Sequence, residues 1–266
     1  MTTADGPPAI GAGTLAGQLA VITGGSKGIG FSIAETFLAE GASVVIAARG
    51  REALASARER LESKVHDGQW VDVIEADTGS VESVARFFDE LKSRDQHRMN
   101  VFVANAGSGK VGSFLDLSVE DWDRIVALNL TGTFLCCQNA ARLMRDGVSG
   151  NRVILVVSSV RATGVRPNVV AYAASKAGVN QMVRVAAYEL APLGIRVNAL
   201  SPGITATSLS EVEENKPLFA KAAASVPMGR AGESSDMAAA ALYLCSPQAA
   251  FVTGANLVVD GGESLW

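Results

Sequence analysis

Tyr172 and Lys176 stand four residues apart in Tyr172-Ala173-Ala174-Ser175-Lys176. On a helix, that spacing puts both side chains on one face. An unperturbed phenol has a pKa of about 10 and is a poor base near neutrality. A neighbouring ammonium favours phenolate and lowers that value. The tyrosine then becomes usable as a general acid or base on an alcohol or carbonyl oxygen. The spacing alone is a modest signal. It gains weight from Thr23-Gly24-Gly25-Ser26-Lys27-Gly28-Ile29-Gly30, Asn105-Ala106-Gly107, Asn129 and Ser158-Ser159.

These residues need a frame to hold them. Apolar runs predict strands over 19–23, 43–48, 71–75, 100–104, 152–157, 195–200 and 256–259. Helical patterns fall between them, over 29–39, 51–64, 81–92, 119–144, 171–190 and 234–245. Alternating β and α with near-continuous apolar strands implies a parallel sheet of about seven strands, with helices on both faces. Right-handed crossovers make it an α/β doubly wound sheet, which binds ligands beyond the carboxyl ends of its strands. Every motif named above falls at such an end. Residues 1–14 are expected to form a mobile leader, and 15–266 a single domain without repeat or linker. The long interruption at 203–232, with a patchy helical middle over 209–225, reads as a substrate lid or as a plain surface excursion.

The first strand runs straight into the glycine loop, and a helix follows. Glycine permits the tight turn and lets backbone N–H groups approach a pyrophosphate at the helix N-terminus. The commonest dinucleotide fingerprint spaces its glycines differently. An NAD site puts Asp or Glu at the end of the second strand, for the ribose 2′-hydroxyl. This chain has Ala47-Ala48-Arg49 there. Arg49 suits a 2′-phosphate instead, and Lys27 adds a second positive charge, so NADP(H) is the expected cofactor. Asp77, with Thr78 beside it, follows the third strand and could accept from the adenine amino group or cap the next helix. Gly107, in Asn105-Ala106-Gly107, would let the backbone pass close to the nicotinamide-side ribose.

The bulk numbers exclude several classes. A chain of 266 residues, 48% hydrophobic and 19% charged, buries a sizeable core. A net charge of −4, with scattered Arg and Lys, gives no reason to expect nucleic acid or an anionic membrane as partner. No apolar run reaches the length of a membrane span. The first basic residue is Lys27, so no charged signal or transit segment is read, and a cytoplasmic location is expected. Cys136, Cys137 and Cys245 read as small buried hydrophobes, and His66 and His97 as surface residues; no metal site is expected.

Together these residues resemble the classical short-chain dehydrogenase/reductase family, its 3-oxoacyl reductases included, over about 19–262. The matching marks are T-G-x-x-x-G-x-G at Thr23 to Gly30, N-A-G at Asn105 to Gly107, Asn129, Ser159, Y-x-x-x-K, and Pro202-Gly203. Ala104 departs from a second Asn that is common there. The resemblance implies a Rossmann fold with Tyr172 exchanging the proton and Ser159, rather than Ser158, hydrogen-bonding the substrate oxygen. It implies that Lys176 lowers the Tyr172 pKa and binds the nicotinamide ribose, with Asn129 joined to it through a water. It also implies that Gly24, Ser26, Lys27, Gly28, Ile29 and Gly30 hold the phosphates, and that Pro202, Gly203, Thr205 and Thr207 line the nicotinamide end. The implied activity is NADP(H)-dependent interconversion of a ketone and a secondary alcohol. The substrate pocket walls should come from 108–116, 160–170 and the lid, where Val111, Phe114, Val165, Val169 and Leu209 are apolar. Arg161 and Arg166 read either as anchors for a phosphate or carboxylate or as solvent-facing loop charges. The resemblance, with the apolar outer segments 128–141 and 173–187, implies a homo-oligomer, a tetramer.

Overall fold

Seven strands stack in the order β3-β2-β1-β4-β5-β6-β7, all parallel, in a computed structural model. It describes residues 13–206 and 216–265, except 67, 95 and 97. The strands are β1 (Leu19–Thr23), β2 (Ser43–Ala48), β3 (Val71–Glu75), β4 (Val101–Ala104), β5 (Val153–Val157), β6 (Arg196–Pro202) and β7 (Asn256–Val259). The helices are α1 (Gly28–Ala39), α2 (Arg51–Glu62), α3 (Val81–Ser93), α4 (Val119–Val126), α5 (Thr133–Gly147), α6 (Val170–Leu190), α7 (Lys216–Ala224) and α8 (Ser234–Cys245).

Successive strand side chains point to opposite faces, and the core divides accordingly. Ala20, Ile22, Val44, Ile46, Val101, Val103, Val153 and Leu155 pack under α1, α2 and α8. Their neighbours Val21, Val45, Phe102, Ile154 and Val156 pack under α3, α5 and α6. Both faces are buried, which is why the strands read as unbroken apolar runs. Each large side chain so buried contributes about 1.5–3 kcal/mol. Cys136, Cys137 and Cys245 sit within these two layers, where burial pushes the Cys136 and Cys245 thiols up to about 12 and the Cys137 thiol higher still.

The sheet is the expected doubly wound, single-domain Rossmann type, and most element ends fall where expected, the others within two residues. One expected helix is different. The stretch 119–144 is α4, then a π-helical turn (Ala127–Gly132), then α5. A π turn keeps the apolar pattern helical, so periodicity hides it. The body also begins earlier than Leu15. The Thr14 N–H donates to Glu40 Oε2 at 2.8 Å, and Gly13 packs against the Glu40 backbone. The rest of the expected leader, 1–12, lies outside the described residues, as do Thr207, Leu209 and the centre of the expected lid. Of that lid's helical middle, α7 is described. His66 is exposed; His97 lies outside the described residues.

Candidate active site

The order of the sheet reverses between β1 and β4, and open α/β sheets bind ligands at such a switch point. The ends of these two strands are braced together. Thr23 Oγ1 donates to Val103 O at 3.3 Å and accepts from the N–H groups of Asn105 and Ala106 at 3.1 and 3.2 Å. Asn105 Nδ2 donates to Thr23 O at 3.0 Å and Gly24 O at 3.1 Å. The glycine loop is thereby held open, with Gly24 and Gly28 at φ +66° and +56°. A Cβ on Gly30 would meet Asn105 Nδ2 and Gly24 O, each at 2.4 Å, so only glycine lets α1 start this close.

Beyond the brace lies a cleft of about 450 Å³. Gly24, Ser26, Lys27, Gly28 and Ile29 form one wall, Arg49 the end of β2, and Asp77 and Thr78 the end of β3. Asn105, Ala106 and Gly107 close it from β4, and Leu128 from the π turn. Lys27 and Arg49 are exposed, and neither has an ion-pair partner among the described residues. Asp77 Oδ1 accepts from the Gly79 N–H at 2.9 Å. The cap of α3 is not Asp77 but Ser80, whose Oγ accepts from Ser83 N at 3.2 Å. This corrects one of the two expected roles of Asp77: its carboxylate shapes a turn at the cleft's edge.

The residues expected to move the proton gather past Gly107. Lys176 is 4% exposed; its Nζ donates to Val157 O at 2.8 Å and lies 5.8 Å from the Tyr172 ring centroid. Burial pushes its ammonium down to about 8. A Cβ on Gly107 would sit 3.2 Å from Asn129 Oδ1 and 3.6 Å from Lys176 Nζ, so this glycine is wedged between them. Asn129 is fully buried on the π turn. Its amide donates to Ser108 O at 2.8 Å and Ser175 Oγ at 3.1 Å, and accepts from Ser108 N at 3.0 Å. It clamps the loop after β4 to α6.

Ser158 and Ser159 end β5 with their hydroxyls in different places. Ser158 Oγ donates to Lys176 O at 3.4 Å, on the back of α6. Ser159 Oγ accepts from Arg161 N at 3.1 Å at the head of a short 3-10 turn (Val160–Ala162). Burial pushes the Tyr172 phenol up, and the Ser159 hydroxyl and Arg161 guanidinium oppose that rise. The sequence-based expectation gave that opposing charge to Lys176 alone. In the structure the Lys176 ammonium donates to Val157 O, and the charge that opposes the rise comes from Arg161. Arg161 is also no solvent-facing loop charge: it pairs with Glu263, the two side chains only 18% and 10% exposed. Arg166 is exposed, as one of its two readings had it.

Of the remaining expected residues, Pro202 ends β6, Gly203 packs against the Asp260 and Glu263 side chains, and Thr205 bridges to Gly232. The expected apolar walls Val111, Phe114 and Val165 stand exposed; Val169 is half-buried. Sequence reasoning missed the Thr23 brace and the Glu263 partner. The first had a signal, a threonine directly before the glycine loop. The second had none, since the two charges lie 102 residues apart.

A parallel doubly wound sheet with a glycine turn at its switch point defines a dinucleotide-binding class. A family model described as "Enoyl-(Acyl carrier protein) reductase" matches residues 24–264. The chain is 36% identical over 254 residues to glucose 1-dehydrogenase 2 of Bacillus subtilis, covering 95% of this chain and 96% of that one. It is 38% identical over 254 residues to 3beta-hydroxysteroid dehydrogenase 1 of Eggerthella lenta, with 95% of each chain covered. A short-chain type dehydrogenase/reductase from Mycobacterium marinum superposes with a TM-score of 0.85 at 33% identity, over 94% of this chain and 96% of that one. The chain belongs to the classical short-chain dehydrogenase/reductase family, whose members are oxidoreductases using a nicotinamide dinucleotide. Among the described residues, no helix is long and apolar enough to cross a membrane.

Proposed function

We propose that this protein is an NADP(H)-dependent oxidoreductase that interconverts a ketone and a secondary alcohol, with Tyr172 as general acid and base. The supporting observation is the grouping of Ser159, Tyr172 and Lys176 beside Gly107, which lines the glycine-walled cleft. The cleft suits the cofactor. It has glycines where a Cβ would block approach, and a buried ammonium with a single protein acceptor among the described residues. When bound, the nicotinamide supplies or takes the hydride. Lys27 and Arg49 would hold the 2′-phosphate, and Lys176 the ribose hydroxyls. Tyr172 gives its proton to the substrate oxygen in reduction and takes it back in oxidation. Ser159 donates a second hydrogen bond to that oxygen as its charge develops. Asn129 keeps the Ser108 loop and α6 in register.

The named relatives act on a sugar and a steroid, so the class of alcohol is open within this reading. A 3-oxoacyl thioester reductase is one specific form of it. Consumption of NADPH and NADH against free ketones, sugars, steroids, and 3-oxoacyl and 2-enoyl thioesters tests the proposal. NADPH-linked turnover of at least one ketone is expected. Tight NADPH binding without turnover of any would make the protein a silent nucleotide-binding regulator. Turnover of enoyl thioesters alone would overturn the ketone assignment.

The outer face of α5 and α6 forms an apolar depression of about 620 Å³, walled by Phe134, Cys137, Ala141, Met182, Val185 and Ala186. Phe134 and Val185 are 44% and 48% exposed. A second copy of the chain would cover this face, in a homotetramer. Sedimentation equilibrium at micromolar concentration is expected to give an oligomeric mass. A single-chain mass throughout would end that reading.

A further inference from the structure

The geometry points to Arg161 and Glu263 as a positioning pair that joins the catalytic turn after β5 to the root of the substrate-side segment after β6. It rests on the reading of Tyr172 as the acid. Arg161 follows Ser159 by two residues, and its backbone N–H is the one Ser159 Oγ accepts. Its guanidinium donates to Glu263 Oε1. The other carboxylate oxygen accepts the Ile204 N–H at 2.8 Å. Ile204 O in turn accepts from Gly232 N at 2.9 Å, and Gly232 O from Ala206 N at 2.8 Å. One carboxylate therefore holds the point where the chain leaves the sheet after β6 and returns before α8.

The surroundings are built for this carboxylate. A Cβ on Gly203 would lie 2.7 Å from Glu263 Oε2, so the glycine leaves it room. Asp260 accepts from the N–H groups of Gly262 and Ser264 at 2.9 and 2.8 Å, fixing the turn that carries Glu263. Gly261 and Gly262 take φ +62° and +90° there. A buried ion pair is weak evidence for stability, because desolvation offsets its attraction. Here its geometry has a different use. Lys176, on the same helix, lies 5.8 Å from the Tyr172 ring; Arg161, from the β5 turn, opposes the rise that burial gives the phenol, and Glu263 pairs with Arg161. Glu263 thus moderates how strongly Arg161 favours phenolate. It also neutralises Arg161 as an anchor for anionic substrates.

Substrate-free phenolate titration by near-ultraviolet absorbance tests this. The chain has 3 tyrosines, so the signal lost in Tyr172→Phe identifies Tyr172. Glu263→Gln keeps the shape and leaves Arg161 uncompensated; the Tyr172 midpoint should fall by about one unit. Arg161→Met should raise it by about the same amount. Arg161→Lys should leave it near the starting value. Opposite shifts are not what a purely structural brace gives. If Glu263→Gln fails to lower the midpoint, the pair does not act on Tyr172 and the proposal is wrong, whether or not Arg161→Met folds. Because the readout needs no turnover, it is separate from failure of Tyr172 as the acid, which appears as normal turnover in Tyr172→Phe.

Discussion

Replacing Tyr172 by phenylalanine is expected to lower turnover at least about a hundredfold, within the usual range for lost acid–base catalysis. That corresponds to about 2.7 kcal/mol of transition-state stabilisation. The change removes one oxygen and keeps the ring. The ring lies against the loop after β4, where a Cβ on Gly109 would sit 3.7 Å from Tyr172 Cδ2. That contact survives, as do the Lys176 bond to Val157 and the Thr23 brace. Dinucleotide binding, followed by quenching or calorimetry, should therefore change little. Near-normal turnover in this variant would mean that another group moves the proton.

Arg49→Ala should weaken NADPH about ten- to a hundredfold and leave NADH nearly unchanged. A forked, charge-assisted hydrogen bond to phosphate contributes roughly 1.5–3 kcal/mol, and tenfold in affinity is about 1.4 kcal/mol. Arg49 follows β2 and lines the cleft, while Ser159 follows β5 across the switch point, so loss of Arg49 should not reach Ser159, Tyr172 or Lys176. Arg49→Asp should go further, repelling the phosphate and offering the ribose hydroxyl an acceptor. The measurement is kcat/KM for both cofactors with one fixed ketone. An initial preference for NADH, or equal weakening of both cofactors by Arg49→Ala, would reduce Arg49 to a surface cation.

Much of the frame was legible because its signals are local. The β2 run Ser43–Ala48 is apolar on both faces and could only be a central strand. Gly24 to Gly30 reads as a phosphate turn because glycine tolerates the backbone it needs. Tyr172 and Lys176 share a helix face by spacing alone. What escaped depends on contacts across the fold. Arg161 looked like a loop charge because its partner arrives from the far end of the chain. Asp77 was read as an adenine acceptor or a cap, and the cap is Ser80, three residues on, where the chain turns into α3. The charge set against Tyr172 was assigned to its helical neighbour, since a neighbour on the helix is what sequence displays.

The π turn between α4 and α5 also works as a local bulge. A π turn holds about one residue more than an α turn, so the extra residue is absorbed within the turn and the flanking helices keep the phase of an unbroken helix. What the bulge sets is local. Asn129 on it is fully buried, its carbonyl accepts from Thr133 Oγ1 at 2.7 Å, and Gly132 slips past Thr78 O, which a Cβ there would meet at 1.8 Å. Deleting one residue from Ala127–Gly132 would let α4 and α5 merge into one regular helix. Phe134 and Cys137 would stay on the apolar depression, while the Asn129 clamp and the Gly132 passage would be lost. A gap in this stretch is thus an injury to the interior rather than to the outer face.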